Sequence, residues 1–238
     1  MTKNDLIKKG LMAFALAVLL FLGIAFFLRG SLDGLVKSAI EHYGSAMTGA
    51  SLKIGAVEIR TTDGQTIISN LEIGNPTGFK TSHALKVAKI DVVVDMSTLT
   101  TDVVVIRKIV IAAPNVIYEK GEQMTNFDAI QKNIANYLGS AKPDEKNTGG
   151  KKFIVEQLLV RDAKAEASAP ILAGKTVAVP LPDIVLNDIG KAKGGVTSGE
   201  LGQVIADALK QKLTAGFSFD SLAAATSKVG GAIKSLFK

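Results

Sequence analysis

The chain has no cysteine and no tryptophan, and only two histidines, three tyrosines and ten phenylalanines among 238 residues. Without cysteine there is no disulfide frame, thiolate metal site, cysteine nucleophile or lipidated N-terminal cysteine. The two histidines, His42 and His83, are not at metal-ligand spacing, and each reads as structural. The sequence contains no nucleophile elbow, no phosphate-binding glycine loop and no dinucleotide fingerprint. Asp91 and Asp95 fall on one face of an expected strand, but roughly 13 Å apart at the rise of an extended chain. Paired-carboxylate chemistry uses separations of about 5–9.5 Å. Lys151, Lys152, Lys191 and Lys193 stand in expected loops without interleaved aromatics, so nucleic-acid binding is not expected. These absences argue against an enzyme and imply no cofactor and no metal.

What the chain does contain is enough apolar material to bury a core. It is 47% hydrophobic and 21% charged, and its length suits one sizeable domain or two small ones. The longest apolar run is LMAFALAVLLFLGIAFFL, Leu11 to Leu28, with no charged residue. As a helix it would be about 27 Å long, close to the roughly 30 Å hydrocarbon core of a bilayer. The run exceeds the apolar region of about 7–15 residues in a cleaved signal peptide, and it ends in bulky Phe26, Phe27 and Leu28. We therefore expect an uncleaved transmembrane anchor (with Leu11, Phe14, Leu19, Leu20, Phe21, Phe26, Phe27 and Leu28 as anchor residues) over a cleaved signal or a buried soluble helix. Lys3, Lys8 and Lys9 precede the run, which places the N-terminus in the cytoplasm and the bulk across the membrane. The net charge of +6 suits attraction to anionic lipid, or simply a solvated basic surface.

Beyond the anchor, Ser31 would cap a helix to about Met47 with Leu32, Leu35, Val36, Ala39, Ile40, Tyr43 and Met47 along one side. SLKIGAVEIR follows with a change of phase at Gly55-Ala56, the signature of a bulge. Asp63-Gly64 then marks a hairpin into TIISNLEIG. That strand ends in Asn75-Pro76-Thr77-Gly78-Phe79, where Pro76 cannot continue a ladder and Phe79 is placed to plug the end of a core. Ile90, Val92 and Val94 alternate along the next strand. Val103, Val105, Ile109 and Ile111 do so along the one after it, which Pro114 closes. Asn126 begins a helix with Phe127, Ile130, Ile134, Tyr137 and Leu138 on one face.

Residues 139–152 lose all periodicity and read as a flexible linker. Strands resume at FIVEQLLVRDAKAEASAP, where Val155, Leu158, Val160 and Ala165 match Ile106, Ile109, Ile111 and Val116 at a constant offset of 49 residues. The match suggests a repeated β unit, though it is mostly hydrophobic pattern and chance is the alternative. Gly174-Lys175 marks another hairpin. Thr197 and Glu200 form a capping box for a helix with Leu201, Val204, Ile205, Ala208 and Leu209 as its buried stripe. The tail carries Leu222, Val229, Ile233 and Phe237 on one side, suited to membrane contact or to docking on the sheet or a partner.

The order of these cues resembles the N-terminal module of the AsmA-like family of bacterial envelope proteins. The resemblance rests on Thr48, Gly49, Ile54, Gly55 and Val57; on Leu71, Ile73, Asn75, Pro76, Gly78 and Phe79; on Val94, Asp95 and Leu99; and on Ile106, Ile109, Ile111, Pro114, Val116 and Asn126. It covers residues 5–138 well and 153–215 less specifically, and its positions are structural. It implies an inner-membrane anchor with a curved periplasmic sheet. The family's larger members carry phospholipid acyl chains in an apolar groove, and in this shorter chain the apolar face would be such a groove or a core covered by the helices at 31–47, 126–138 and 198–213.

The expected fold is α+β. One transmembrane helix is followed by a curved, mostly antiparallel sheet with amphipathic helices packed on it. The chain divides into a cytoplasmic tail (1–10), anchor (11–28), AsmA-like β module (29–138), linker (139–152), second β unit with helix (153–216) and amphipathic tail (217–238). The expected function is non-enzymatic lipid binding or lipid transport in the bacterial envelope, along a groove lined by Ile90, Val92, Val94, Val105, Ile109 and Ile111. On that reading, a charge at Val92 abolishes lipid binding and spares the fold. The alternative is a structural or accessory subunit with a closed core; a small β-sandwich of the water-stress type fits the order of segments less well. Partners would be the membrane, phospholipid, and an envelope complex or further copies of the chain.

Overall fold

The computed structural model describes residues 32–140, 151–172 and 175–222. Helix α1 (32–48) leads into the strands β1 (Leu52–Lys53), β2 (Ala56–Arg60), β3 (Gln65–Ile73), β4 (Leu85–Val94), β5 (Val103–Ala112) and β6 (Asn115–Glu119). After helix α2 (Asn126–Ser140) come β7 (Lys152–Arg161), β8 (Lys164–Ser168), β9 (Val177–Val179), β10 (Ile184–Ile189) and helix α3 (Ser198–Gly216). The fold is α+β, built on one mixed, mostly antiparallel sheet.

The expected fold class needs one correction. Among the described residues no helix is long and apolar enough to cross a membrane. The three helices are amphipathic, with Asp33, Lys37 and Glu41 along α1 and Asp207, Lys210 and Lys212 along α3. The run Leu11–Leu28, with all of the expected anchor residues, lies outside the described residues. So do Ser31, Gly174, most of the expected linker and the tail beyond Leu222.

The ten strands are segments of six long bent ones. β1 and β2 both pair with β3 in the same antiparallel register, Leu52 opposite Ile73 and Ala56 opposite Ser69. The Gly55 N–H between them donates to the carbonyls of both Ser69 and Asn70. The register is the same on either side, so the expected bulge is not formed: both strands are irregular here and neither gains a residue. β4 likewise runs antiparallel to β5 and then β6, from Lys89 with Ala112 to Leu85 with Val116. At the far end β10 and β9 flank β7 and β8 in one antiparallel register.

A line of backbone irregularities crosses the sheet where these strands are interrupted. Asn70 (φ 53°), Ala113 (φ 49°) and Asp162 (φ 55°) all take left-handed conformations there. Each bends its strand, so the sheet is creased.

Two pairings are parallel, β5 with β7 and β6 with β8. In both, every partner lies 49 residues further along, as in Val103 with Lys152 and Asn115 with Lys164. The repeat spacing in the sequence is therefore the register of the sheet. The left-handed residues repeat too, since Ala113 and Asp162 are 49 apart and the Ala113 N–H donates to the Arg161 carbonyl (2.9 Å). Parallel neighbours need a crossover, and α2 lies within it. The strands expected of two separate units thus belong to a single sheet.

One face of the sheet is covered by helices. Across six strands, Val57, Ile68, Ile90, Ile111, Val160 and Ile184 form one continuous row, with Val92, Ile109, Leu158 and Leu186 in the next. Phe127, Ile130 and Ile134 of α2 and Leu209 and Leu213 of α3 pack on this face, and Leu158, Val155 and Leu213 are fully buried. Burying each such leucine stabilises the fold by roughly 2–3 kcal/mol. The α3 cap is the expected box, Thr197 Oγ1 accepting from Glu200 N and Glu200 returning to Thr197 N. At α2 the cap is Thr125, which accepts from Asp128 N while Asp128 accepts from Thr125 N. Asn126, expected to open the helix, has a different task described below.

Helix α1 sits at the β1–β2 margin. Val36 and Ile40 pack with Leu52, Ile54 and Val57, whereas Leu32, Leu35 and Tyr43 are exposed. The seven-residue apolar stripe read from sequence is therefore split between two sides of this helix.

Candidate functional site

The six groove residues proposed from sequence do not line one open surface. Ile90 and Ile109 are buried in the core, and Val92 and Ile111 pack against it beneath α2 and α3. Val94 shares their face by alternation and pairs with Ile106. Val105 is on the opposite face. The ladder slips at Arg107, because Val93 pairs with Lys108 and Val94 with Ile106. That bulge puts Val104 and Ile106 inward and Val103 and Val105 outward, where unbroken alternation had grouped Val105 with Ile109 and Ile111. The space left between this face and α3, bounded by Ile111, Leu158, Val160, Ile205 and Leu209, is a cavity of about 30 Å³. Such a volume holds about one water molecule, and an acyl chain does not fit.

The other face carries its own apolar row. Ile67, Val110, Leu159 and Val185 stand in register across the sheet, interrupted by Asp91 between Ile67 and Val110. Val93, Val105 and Ile154 flank them, all half-buried, and Val185 is 53% exposed. The helices place their buried residues on the opposite side. Lys89, Lys108 and Arg161 border this strip, with Lys89 Nζ 2.7 Å from Asp91 Oδ1. The sequence signal for this face was present in Val103, Val110, Ile154 and Leu159. It was obscured because both strand faces are apolar and the phase changes at the bulge.

A buried polar network joins the Asn-Pro-Thr-Gly-Phe corner to α2. Asn126 is wholly buried; its Oδ1 accepts from Glu119 N and Phe127 N, and its Nδ2 donates to Ile117 O and to Asn75 Oδ1. Asn75 Nδ2 donates to Thr81 O and Oγ1. The Glu119 carboxylate, 6% exposed, accepts from Lys80 N (2.7 Å), Thr81 N (2.8 Å) and Thr81 Oγ1 (2.6 Å). Three donors thus hold the Glu119 carboxylate, which clasps the corner to β6. Glu119 is not among the residues singled out from sequence; its signal there is an acid that closes the apolar run Val116-Ile117-Tyr118.

Several other titratable groups are occupied in local structure. Asp95 caps a short 3-10 turn at Met96–Thr98 and binds Arg107 at 2.8 Å. Hydrogen bonds from the Arg107 guanidinium and from Ser97 hold its carboxyl down to about 2. For Asp128, burial pushes upward but is outweighed by bonds from Lys210 and Thr125, leaving it below the usual range. His83 lies between Ser82 Oγ (2.8 Å) and Asn115 Oδ1 (2.6 Å), and exposed His42 meets Tyr43 edge to face. Among the described residues no cluster of three or more His, Asp or Glu could hold a metal ion.

No family model and no curated protein matches this chain.

Proposed function

We propose that this is a non-enzymatic lipid-binding protein of the bacterial envelope, of the AsmA-like kind, and that lipid lies on the outward sheet face. The observation that carries the reading is the row Ile67, Val110, Leu159 and Val185, half-buried to exposed and bordered by Lys89, Lys108 and Arg161. Apolar side chains in a strip receive acyl chains, and cations at its border receive anionic headgroups, in keeping with the net charge of +6. The helix-covered face is the structural core. The closed core also favours a second reading, a scaffold subunit whose outward face meets another protein.

The test is native mass spectrometry of the full chain released gently from its membrane, followed by lipid extraction. Retained phospholipid that is lost from a Val110→Asp, Leu159→Asp variant with unchanged circular dichroism supports lipid binding on this face. A lipid-free chain holding a stoichiometric protein partner overturns it in favour of the scaffold.

A further inference from the structure

The sheet has two margins, and they are treated differently. Along β1 and β2 the outward backbone is bonded by one stripe of α1. Asp33 accepts from Ile59 N (3.1 Å), Lys37 donates to Gly55 O (3.1 Å), Glu41 accepts from Ile54 N (2.8 Å) and Ser45 accepts from Leu52 N (2.8 Å). These side chains recur every four residues, about 6 Å of helix rise, and run antiparallel to the strand beside them. The margin is sealed against any further strand.

The opposite margin is β10. Its inner side pairs with β7 from Ile184 with Val160 to Ile189 with Val155. Among the described residues nothing bonds to the outward backbone of Ile184–Ile189. Beside it stands Val185, the most exposed member of the outward apolar row.

We propose that β10 pairs antiparallel with β10 of a second copy of this chain, about a two-fold axis, giving a closed dimer. Charge selects a copy as the occupant and antiparallel as the direction. Asp183 stands just before the strand, where it also accepts from Asp162 N (3.1 Å); at the other end Lys191 is paired with Asp188 (2.9 Å), and Lys193 leaves that end net basic. Antiparallel self-pairing brings the acidic end of each copy to the basic end of the other, twice. Parallel pairing would set like charges together. Assembly stops at two because the β1–β2 margin of each copy is occupied by α1, so head-to-tail growth has no acceptor. Pro182 before the strand and the left-handed Asp188 (φ 54°) near its end confine the ladder to the residues between them, which fixes its register. Across the junction the outward apolar rows of the two copies become continuous at Val185. The inference stands whether or not that face binds lipid.

The test uses the full chain in detergent. Light scattering is expected to give a protein mass twice the 24.9 kDa of one chain. Because the chain has no cysteine, Val185→Cys gives a single-site probe. A short bismaleimide should link two Val185→Cys chains and leave Glu58→Cys, on the sealed margin, unlinked. Val185→Arg combined with Lys193→Glu should weaken dimerisation at least tenfold with unchanged thermal unfolding. A chain that stays monomeric at every soluble concentration overturns the proposal. So does a dimer indifferent to these substitutions, which associates elsewhere. Slow hydrogen exchange of the outward β10 amides in a monomer overturns it in favour of a cover from residues 223–238 of the same chain.

Discussion

The side-chain amide of Asn126 donates to Asn75 Oδ1 across 2.9 Å, linking two residues 51 apart in the chain. This bond explains why β3 ends in Asn-Pro-Thr-Gly-Phe. The corner is folded over the start of α2 and held there by Asn126 from one side and Glu119 from the other. Asn126→Asp keeps the shape but sets an acceptor against Ile117 O and Asn75 Oδ1, both of which now receive a donor. A buried group left unpaired costs about 1–3 kcal/mol, and here two are created along with a buried charge. We expect destabilisation of about 3 kcal/mol or more, read as a lower midpoint in urea unfolding. Thr77→Ser, at the exposed tip of the same corner, should leave the midpoint in place.

Ala113 holds φ at 49° while its N–H bonds to Arg161, so the crease asks for a conformation in which a Cβ is unfavourable. The left-handed region costs an ordinary L residue roughly 1–2 kcal/mol, and glycine is free of that cost while gaining unfolded-state entropy. Ala113→Gly should therefore raise stability, by about 0.5–1 kcal/mol after both effects. Differential scanning calorimetry would show a higher Tm. A fall would mean that the Ala113 methyl contributes packing that outweighs the strain.

Long-range order in this fold was readable where a local rule reached it. The Asp63-Gly64 turn and the Thr197–Glu200 box each follow from a few adjacent residues, whereas the change of phase at Gly55 comes from an irregularity shared by both strands and not from the expected bulge. The offset of 49 was visible as well, because parallel strands in register repeat the same inward positions. The use of each face was not readable. Val105 and Ile109 share odd numbering and apolar character, and only the slip at Arg107 separates them. α1 misled for a related reason. Its polar residues Asp33, Lys37, Glu41 and Ser45 look like a solvated face, yet they are the side that meets the sheet margin, leaving Leu35 and Tyr43 in solvent. Periodicity finds an amphipathic helix but assumes that the apolar side is the buried one.

Asp95 and Arg107 offer a pH readout of the bulge. The Asp95 carboxyl is held down to about 2, first by its bond from Arg107 and then by those from Ser97. An unfolded aspartate titrates near 3.9. The pair therefore contributes stability that is present above about pH 4 and lost as pH falls through about 2. NMR titration of the Asp95 side chain should find a midpoint close to 2 in the native chain, and Arg107→Ala should move it back toward the ordinary value. An unmoved midpoint would show that the Ser97 bonds alone set it and that the bulge does not depend on this ion pair.

Two carboxylates of α1, Asp33 and Glu41, each accept a backbone N–H of the β1–β2 margin, from Ile59 and Ile54. A hydrogen bond to a charged acceptor is worth roughly 1.5–3 kcal/mol, and 1.4 kcal/mol corresponds to a tenfold change in an equilibrium. Asp33→Ala, Glu41→Ala should thus speed amide exchange at Ile54 and Ile59 by about tenfold or more, while Val87 and Val155 in the central strands keep their protection. The same variant should aggregate more readily, since removing the side chains opens a strand edge that otherwise has no room for a partner. If exchange at Ile54 and Ile59 were unchanged, the apolar contacts of Val36 and Ile40 would be holding the helix in place by themselves. The polar stripe would then be only its lining.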